Sequence, residues 1–187
     1  KGLFILKSVP ILKSKKELSE ENAQKVLSCL QYSGNPIGDE NYIFGIKQIT
    51  EIAVKAMSPG INDPGTAINA IDYLTELLAI RMQLDDKEMY KGEQEQLSLM
   101  QTTVDFDELL YNILASLRQY CKHDVIIVQK LLLMLKYLAL EKTADVAYLA
   151  VIKTEIATLM ADAKLFIKNE ADLAVLEKLA NSIHFKK

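Results

Sequence analysis

The stretch "VIIVQKLLLMLKYLAL", Val125 to Leu140, would as a helix carry apolar residues around most of its circumference, interrupted mainly by Gln129, Lys130 and Lys136. A helix that is apolar on nearly every side must be covered on nearly every side. The sequence therefore has to supply several further helices to surround it. Asp124, just ahead of the run, is suited to cap its first free backbone N–H groups.

The covering helices can be read from their spacing. Ala23, Val26, Leu27 and Leu30 recur at helical intervals between about Glu17 and Tyr32, before the turn-rich "SGNPIGDEN". Ile49, Ile52, Ala53 and Ala56 form a stripe between Tyr42 and Met57 that Pro59 must stop, because a residue before proline is pushed out of the helical region. From Pro64 to Gln83 the stripe is longer, through Ala67, Ala70, Ile71, Leu74, Leu77 and Leu78. Arg81 extends it, with its stem buried and its head at helix-end carbonyls or an acidic partner. A helix over 105–121, capped by Asp105, precedes the central one, and two more, at 144–168 and 170–184, follow it. Strand formers at Leu3 to Leu6 read as a short edge strand, with "QLSLMQTTV" as its partner and the charged "DDKEMYKGEQEQ" as a loop. The fold expected is mainly α: a helical bundle of about six to seven helices with a small two-stranded β element, in a single domain spanning the chain.

Half of the 187 residues are hydrophobic and a quarter charged, as in a folded globular chain. A net charge of -3 offers nucleic acid no overall attraction, and no finger spacing or phosphate loop is present. Cys29 and Cys121 stand far apart, in positions where helices would bury free thiols. No charge-free apolar run reaches the roughly 18 residues that cross a bilayer. The chain opens at Lys1, and Lys1, Lys7, Lys13, Lys15 and Lys16 fall within sixteen residues that hold no acid. That pattern fits either a solvated face or, in a piece of a longer membrane protein, the cytoplasmic side of a membrane helix.

The punctuation of the chain is concentrated in "AMSPGINDPGTAINAIDYL", Ala56 to Leu74. As a corner it would place Pro59-Gly60 in a type II turn, Asp63 as N-cap and Pro64 at the first helical position, with Asn62 bonding local backbone. As a site it would gather Ser58, Asn62, Asp63, Thr66 and Asn69 around one helix start. An anion is disfavoured there because Asp63 already holds the position, whereas a polar molecule or weakly held hard cation is allowed.

Here the chain resembles a known family. "FGIKQITEIAVKAMSPGINDPGTAINAIDYLTELL", Phe44 to Leu78, is similar to the signature of bacterial predicted membrane proteins grouped as domain of unknown function 2254. "GLFILKSVPIL" and "FDELLYNILASLRQYCKHDVIIVQKLLLML" resemble further parts of that family, the second through Arg118, Gln119 and Tyr120. Lys47 and Lys55 stand where the family usually has arginines, and "NPIGDEN" replaces an arginine-threonine and acidic element. The resemblance implies membrane helices ahead of this region, a cytoplasmic location for it, and no particular chemistry. It makes Ser58, Pro59, Gly60, Asn62, Asp63, Pro64 and Thr66 the site candidates.

Other chemistry is thin. His123 and His184 lack a second ligand at helical spacing, Asp72 and Glu76 read as a solvated pair, and Ser58 lacks a hydrolase elbow. The reading is a non-catalytic soluble regulatory, ligand-sensing or assembly domain of a membrane protein, with no cofactor, no metal and no nucleic acid. Its partners would be the membrane-spanning segments of the same full-length chain, an unidentified small ligand, or a second copy. The alternatives are an enzyme using Asp63 as acid or base, and a homo-oligomerisation module.

Overall fold

The computed structural model describes residues 7–10, 12–29, 42–91, 98–102 and 104–185. In chain order these form α1 (Glu20–Ser28), α2 (Tyr42–Ala56), α3 (Pro64–Arg81), β1 (Lys87–Lys91), β2 (Ser98–Thr102), α4 (Phe106–Cys121), α5 (Val125–Leu140), α6 (Ala147–Phe166) and α7 (Glu170–Asn181). The chain divides into two units, residues 1–44 and 45–187.

In the first unit, Ser19 caps α1 by accepting from the Asn22 backbone N–H. This helix is shorter than its apolar spacing suggests, and it buries nothing: Val26 and Leu27 are exposed. Cys29, expected inside, is exposed too. A stripe of four apolar residues marks a helix, but only a partner surface makes it a core face.

The second unit is a helical bundle built around α5. Eight of its sixteen residues are buried, among them Ile127, Val128, Leu131, Leu132, Leu135 and Leu138, and it packs against α3, α4, α6 and α7. Asp124 caps it as the sequence suggests, accepting from the Ile126 and Ile127 N–H groups at 2.9 and 3.0 Å. Phe106, Leu110, Leu114 and Leu117 of α4, Leu74 and Leu78 of α3, and Ile152 and Leu159 of α6 complete the core. Within α2 the buried stripe is Ile46, Thr50, Ala53 and Ala56, so Ile52 faces out. Thr50 is tolerated inside because its hydroxyl donates to the Ile46 carbonyl.

The expected pairing of Leu3–Leu6 with the "QLSLMQTTV" strand is not supported. Ser98–Thr102 pairs antiparallel with Lys87–Lys91 instead, Met89 opposite Met100, and residues 3–6 lie outside the described ones. The partner was hidden in the segment read as a charged loop. Strand pairing follows chain proximity, and nearby segments close a hairpin at little entropic cost.

Asp105 occupies the N-cap position of α4 but makes no cap bond with its side chain. The first backbone N–H of the helix, that of Phe106, donates instead to Asp86, twenty residues earlier. A tertiary contact has displaced the local cap.

Candidate functional site: the corner between α2 and α3

The quoted loop is a corner whose polar groups are largely turned on one another. After Ala56, the backbone N–H of Met57 still donates to Ala53, and that of Ser58 to Lys55. The Ser58 carbonyl then accepts from both Ile61 and Asn62, at 3.0 Å each, and the Asp63 N–H donates to Ala56 at 2.7 Å. The chain thus turns once about Ser58 and returns to the end of the helix it left.

The turn is not the type II turn that Pro59-Gly60 suggests. Positive φ falls instead on Asn62, at 48°, and Gly60 lies in open space at an ordinary φ. Asparagine is among the few residues that enter the left-handed region at low cost. The conformational burden of the corner is therefore carried two residues later than the glycine implies.

Asp63 is the N-cap of α3, with Pro64 in the first helical turn as the sequence indicates. Its carboxylate accepts from the Thr66 backbone N–H at 3.1 Å and from the Thr66 hydroxyl at 2.6 Å. These two bonds, the hydroxyl's first, hold the Asp63 carboxyl below the usual carboxylate range. A Cβ on Gly65 would come within 3.3 Å of the same carboxylate, so the glycine leaves the cap its room. The Ser58 hydroxyl donates to the Lys55 carbonyl at 2.7 Å.

Of the five polar candidates, Ser58, Asp63 and Thr66 are thus engaged within the corner. Asn62 and Asn69 are exposed, and no side-chain bond is recorded for either among the described residues. No group of three or more His, Cys, Asp or Glu side chains able to hold a metal ion occurs among the described residues. An Asp63 carboxylate that is already ionised, doubly bonded and weakly basic is poorly matched to general acid or base work at neutral pH.

Buried charge is concentrated elsewhere. Arg81, at the end of α3 and 2% exposed, donates to the Leu84 and Val104 carbonyls at 2.9 and 3.0 Å and pairs with Asp86. That is the buried stem, with a head bound to carbonyls and to an acidic partner, expected of it. The same junction holds Tyr148, whose hydroxyl donates to the Leu84 carbonyl at 3.3 Å and whose ring lies 4.7 Å from that of Phe106. Asp86 therefore ties the end of α3 to the start of α4.

A second buried pair was not foreseen. Arg118 of α4 bonds Glu155 of α6 and reaches Asp162 at 3.3 Å. Burial is the first cause raising the Glu155 carboxyl above its ordinary value, partly offset by Arg118, while Asp107 adds to the rise. The signal was present: Arg118 falls four residues after Leu114 on the α4 stripe, and Glu155 falls between Ile152 and Leu159 on that of α6. Charged residues at core register positions on two helices are a reason to look for a pair.

The remaining candidates are surface groups. Asp72 pairs with Lys130 of α5 at 2.5 Å, and the Tyr137 phenol is raised first by its hydrogen bond to Glu141 and by that carboxylate's charge, with Glu76 adding least. His123 and His184 are exposed.

No helix among the described residues is long and apolar enough to cross a membrane. The family model described as "Predicted membrane protein (DUF2254)" matches residues 1–137. Over 136 residues the chain is 28% identical to "Uncharacterized protein Mb1321c" of Mycobacterium bovis and to "Uncharacterized protein Rv1290c" of Mycobacterium tuberculosis. Each alignment covers 71% of this chain and 26% of the relative, so the matched region spans about a quarter of those proteins' length. No solved structure matches the chain. On the match over residues 1–137, which contains the corner and the whole of α2, α3 and α4, the chain belongs to the DUF2254 family of predicted membrane proteins.

Proposed function

We propose that this chain is a non-catalytic assembly domain of a larger membrane protein, lying outside the bilayer on the cytoplasmic side and docking on other segments of the same full-length chain. The observation that carries this reading is an apolar face shared by α3 and α5. Asp72 of α3 pairs with Lys130 of α5. The two helices pack against one another. On these two helices Tyr73 and Ile80 of α3, and Leu133, Tyr137 and Leu140 of α5, are between 44% and 61% exposed. Scattered exposed apolar residues are ordinary, but several on two adjoining helices make a surface suited to a partner. The relatives' length beyond the matched quarter supplies candidates for what covers it.

The test is to place one charge on that face, as Leu133→Glu or Ile80→Glu, in the full-length protein. Folding of the isolated chain should be unchanged, because both side chains are solvent-facing, while recovery of the intact full-length protein from membranes should fall. Unchanged recovery with either variant would sink the proposal. A concentration-dependent dimer of the isolated chain, abolished by the same substitutions, would favour homo-oligomerisation instead.

A second reading rests on Asn62 and Asn69, whose exposed amides leave donors and acceptors open beside the corner. A small polar ligand held there would raise the melting temperature of the native chain but not that of Asn62→Ala. A screen of nucleotides, small acids, sugars and divalent ions that moves neither would remove it.

A further inference from the structure

We propose that the basic segment carrying Lys7, Lys13, Lys15 and Lys16 forms a contact surface for the anionic headgroups of a lipid bilayer. Five of the chain's 22 basic residues lie in its first sixteen positions, together with none of its 25 acidic ones. An anionic surface would thus attract this segment while the rest of the chain, which is net acidic, is repelled. Lys7, Lys13, Lys15 and Lys16 are all exposed.

Among the described residues 7–10 and 12–16 the backbone is irregular, not helical. Ser8 has a φ of 73°, a conformation that few side chains enter without a local constraint. Pro10 then forbids helix propagation. The Ser14 hydroxyl donates to the Lys16 carbonyl and accepts from the Lys16 N–H, which closes a tight polar turn beneath Lys15. Among the described residues, Val9 at 55% and Leu12 at 39% exposure lie between the lysines. Lysines interspersed with short apolar side chains suit a headgroup interface, where the ammonium groups meet phosphate or carboxylate and the apolar groups reach the acyl boundary.

Glu17, Glu20 and Glu21 bound the patch on its C-terminal side. Glu21 is already paired with Lys25 at 2.7 Å. Nucleic acid would satisfy the same charges, but between Lys7 and Lys16 the sequence holds no aromatic side chain on which bases could stack. Lipid is the better match, and it agrees with membership of a membrane-protein family without depending on the assembly proposal.

The experiment is co-sedimentation of the whole chain with vesicles of phosphatidylcholine alone and of phosphatidylcholine with about 30% phosphatidylserine. Binding is expected only to the anionic vesicles, falling steeply as salt rises from about 0.05 to 0.5 M. A Lys13→Gln, Lys15→Gln, Lys16→Gln variant should lose on the order of a hundredfold in partitioning, whereas the three corresponding Lys→Arg changes should retain it. All six changes lie on exposed positions outside the helices, so circular dichroism should be unaltered. Equal binding to neutral vesicles, no loss in the glutamine variant, or displacement from vesicles by a sub-stoichiometric oligonucleotide would each overturn the proposal.

Discussion

At the residue scale, the corner shows how closely a sequence can announce a turn and still misplace its strain. Asp63 and Pro64 are legible as cap and first-turn residues because their roles depend on neighbours two or three positions away. Gly60 is misleading because glycine permits positive φ without requiring it, and whether a turn uses that freedom depends on where the chain must go next. Here the Asp63 N–H must reach the Ala56 carbonyl, and Asn62 supplies the bend. Gly60→Ala should therefore be tolerated, with a melting temperature equal to or slightly above the parent's. Asn62→Val should cost about 1–2 kcal/mol by chemical denaturation, since a β-branched residue is ill suited to that φ. Asp63 gives a pH signature as well. Its folded pKa is depressed, so its contribution is present above the ordinary value of 3.8 and is lost as pH falls through the lower folded value. The melting-temperature gap between parent and Asp63→Asn should accordingly be a few degrees near neutrality and should close in strong acid.

At the scale of elements, the helices were legible and their partnerships less so. Periodicity alone located α5 at the centre, because few arrangements can cover a helix that is apolar on most sides. It could not say that α1 buries nothing, since an amphipathic stripe does not record whether a partner exists. Nor could it find the strand partner of Ser98–Thr102 in a charged segment, or show that Asp86 would take over the capping of α4 from Asp105. Those outcomes depend on where distant residues end up in space. The Arg118–Glu155 pair between α4 and α6 is the clearest energetic consequence. Arg118→Met alone should destabilise by about 3–5 kcal/mol, because it leaves Glu155 buried without its cation. Adding Glu155→Leu should recover most of that loss in a denaturant titration. A double variant no more stable than Arg118→Met would show that packing, and not the stranded charge, sets the cost.

At the scale of the whole chain, what the sequence conveyed best was membership. The run from Phe44 to Leu78 carries the family's signature, and the family match over residues 1–137 bears it out. The proposed assembly face is not legible in the sequence. The proposal that Tyr73, Ile80, Leu133, Tyr137 and Leu140 act as one surface needs α3 packed on α5, and helix packing order is not written in periodicity. The central claim is that this face is covered in the full-length protein. It can be tested by replacing Cys29 with serine, introducing Ile80→Cys or Leu133→Cys, and comparing maleimide labelling in the isolated chain and in native membranes. Within these 187 residues the other native thiol, Cys121, is buried, and burial pushes it up to about 12, so it should stay silent, and any thiol elsewhere in the full-length protein is removed beforehand. Leu165→Cys, at a position 76% exposed on α6, serves as the reference. The account expects the thiols introduced in place of Ile80 and Leu133 to label at least roughly tenfold more slowly in the full-length protein than in the isolated chain, with the reference unchanged. Equal rates in both settings would show the face to be open and would contradict it.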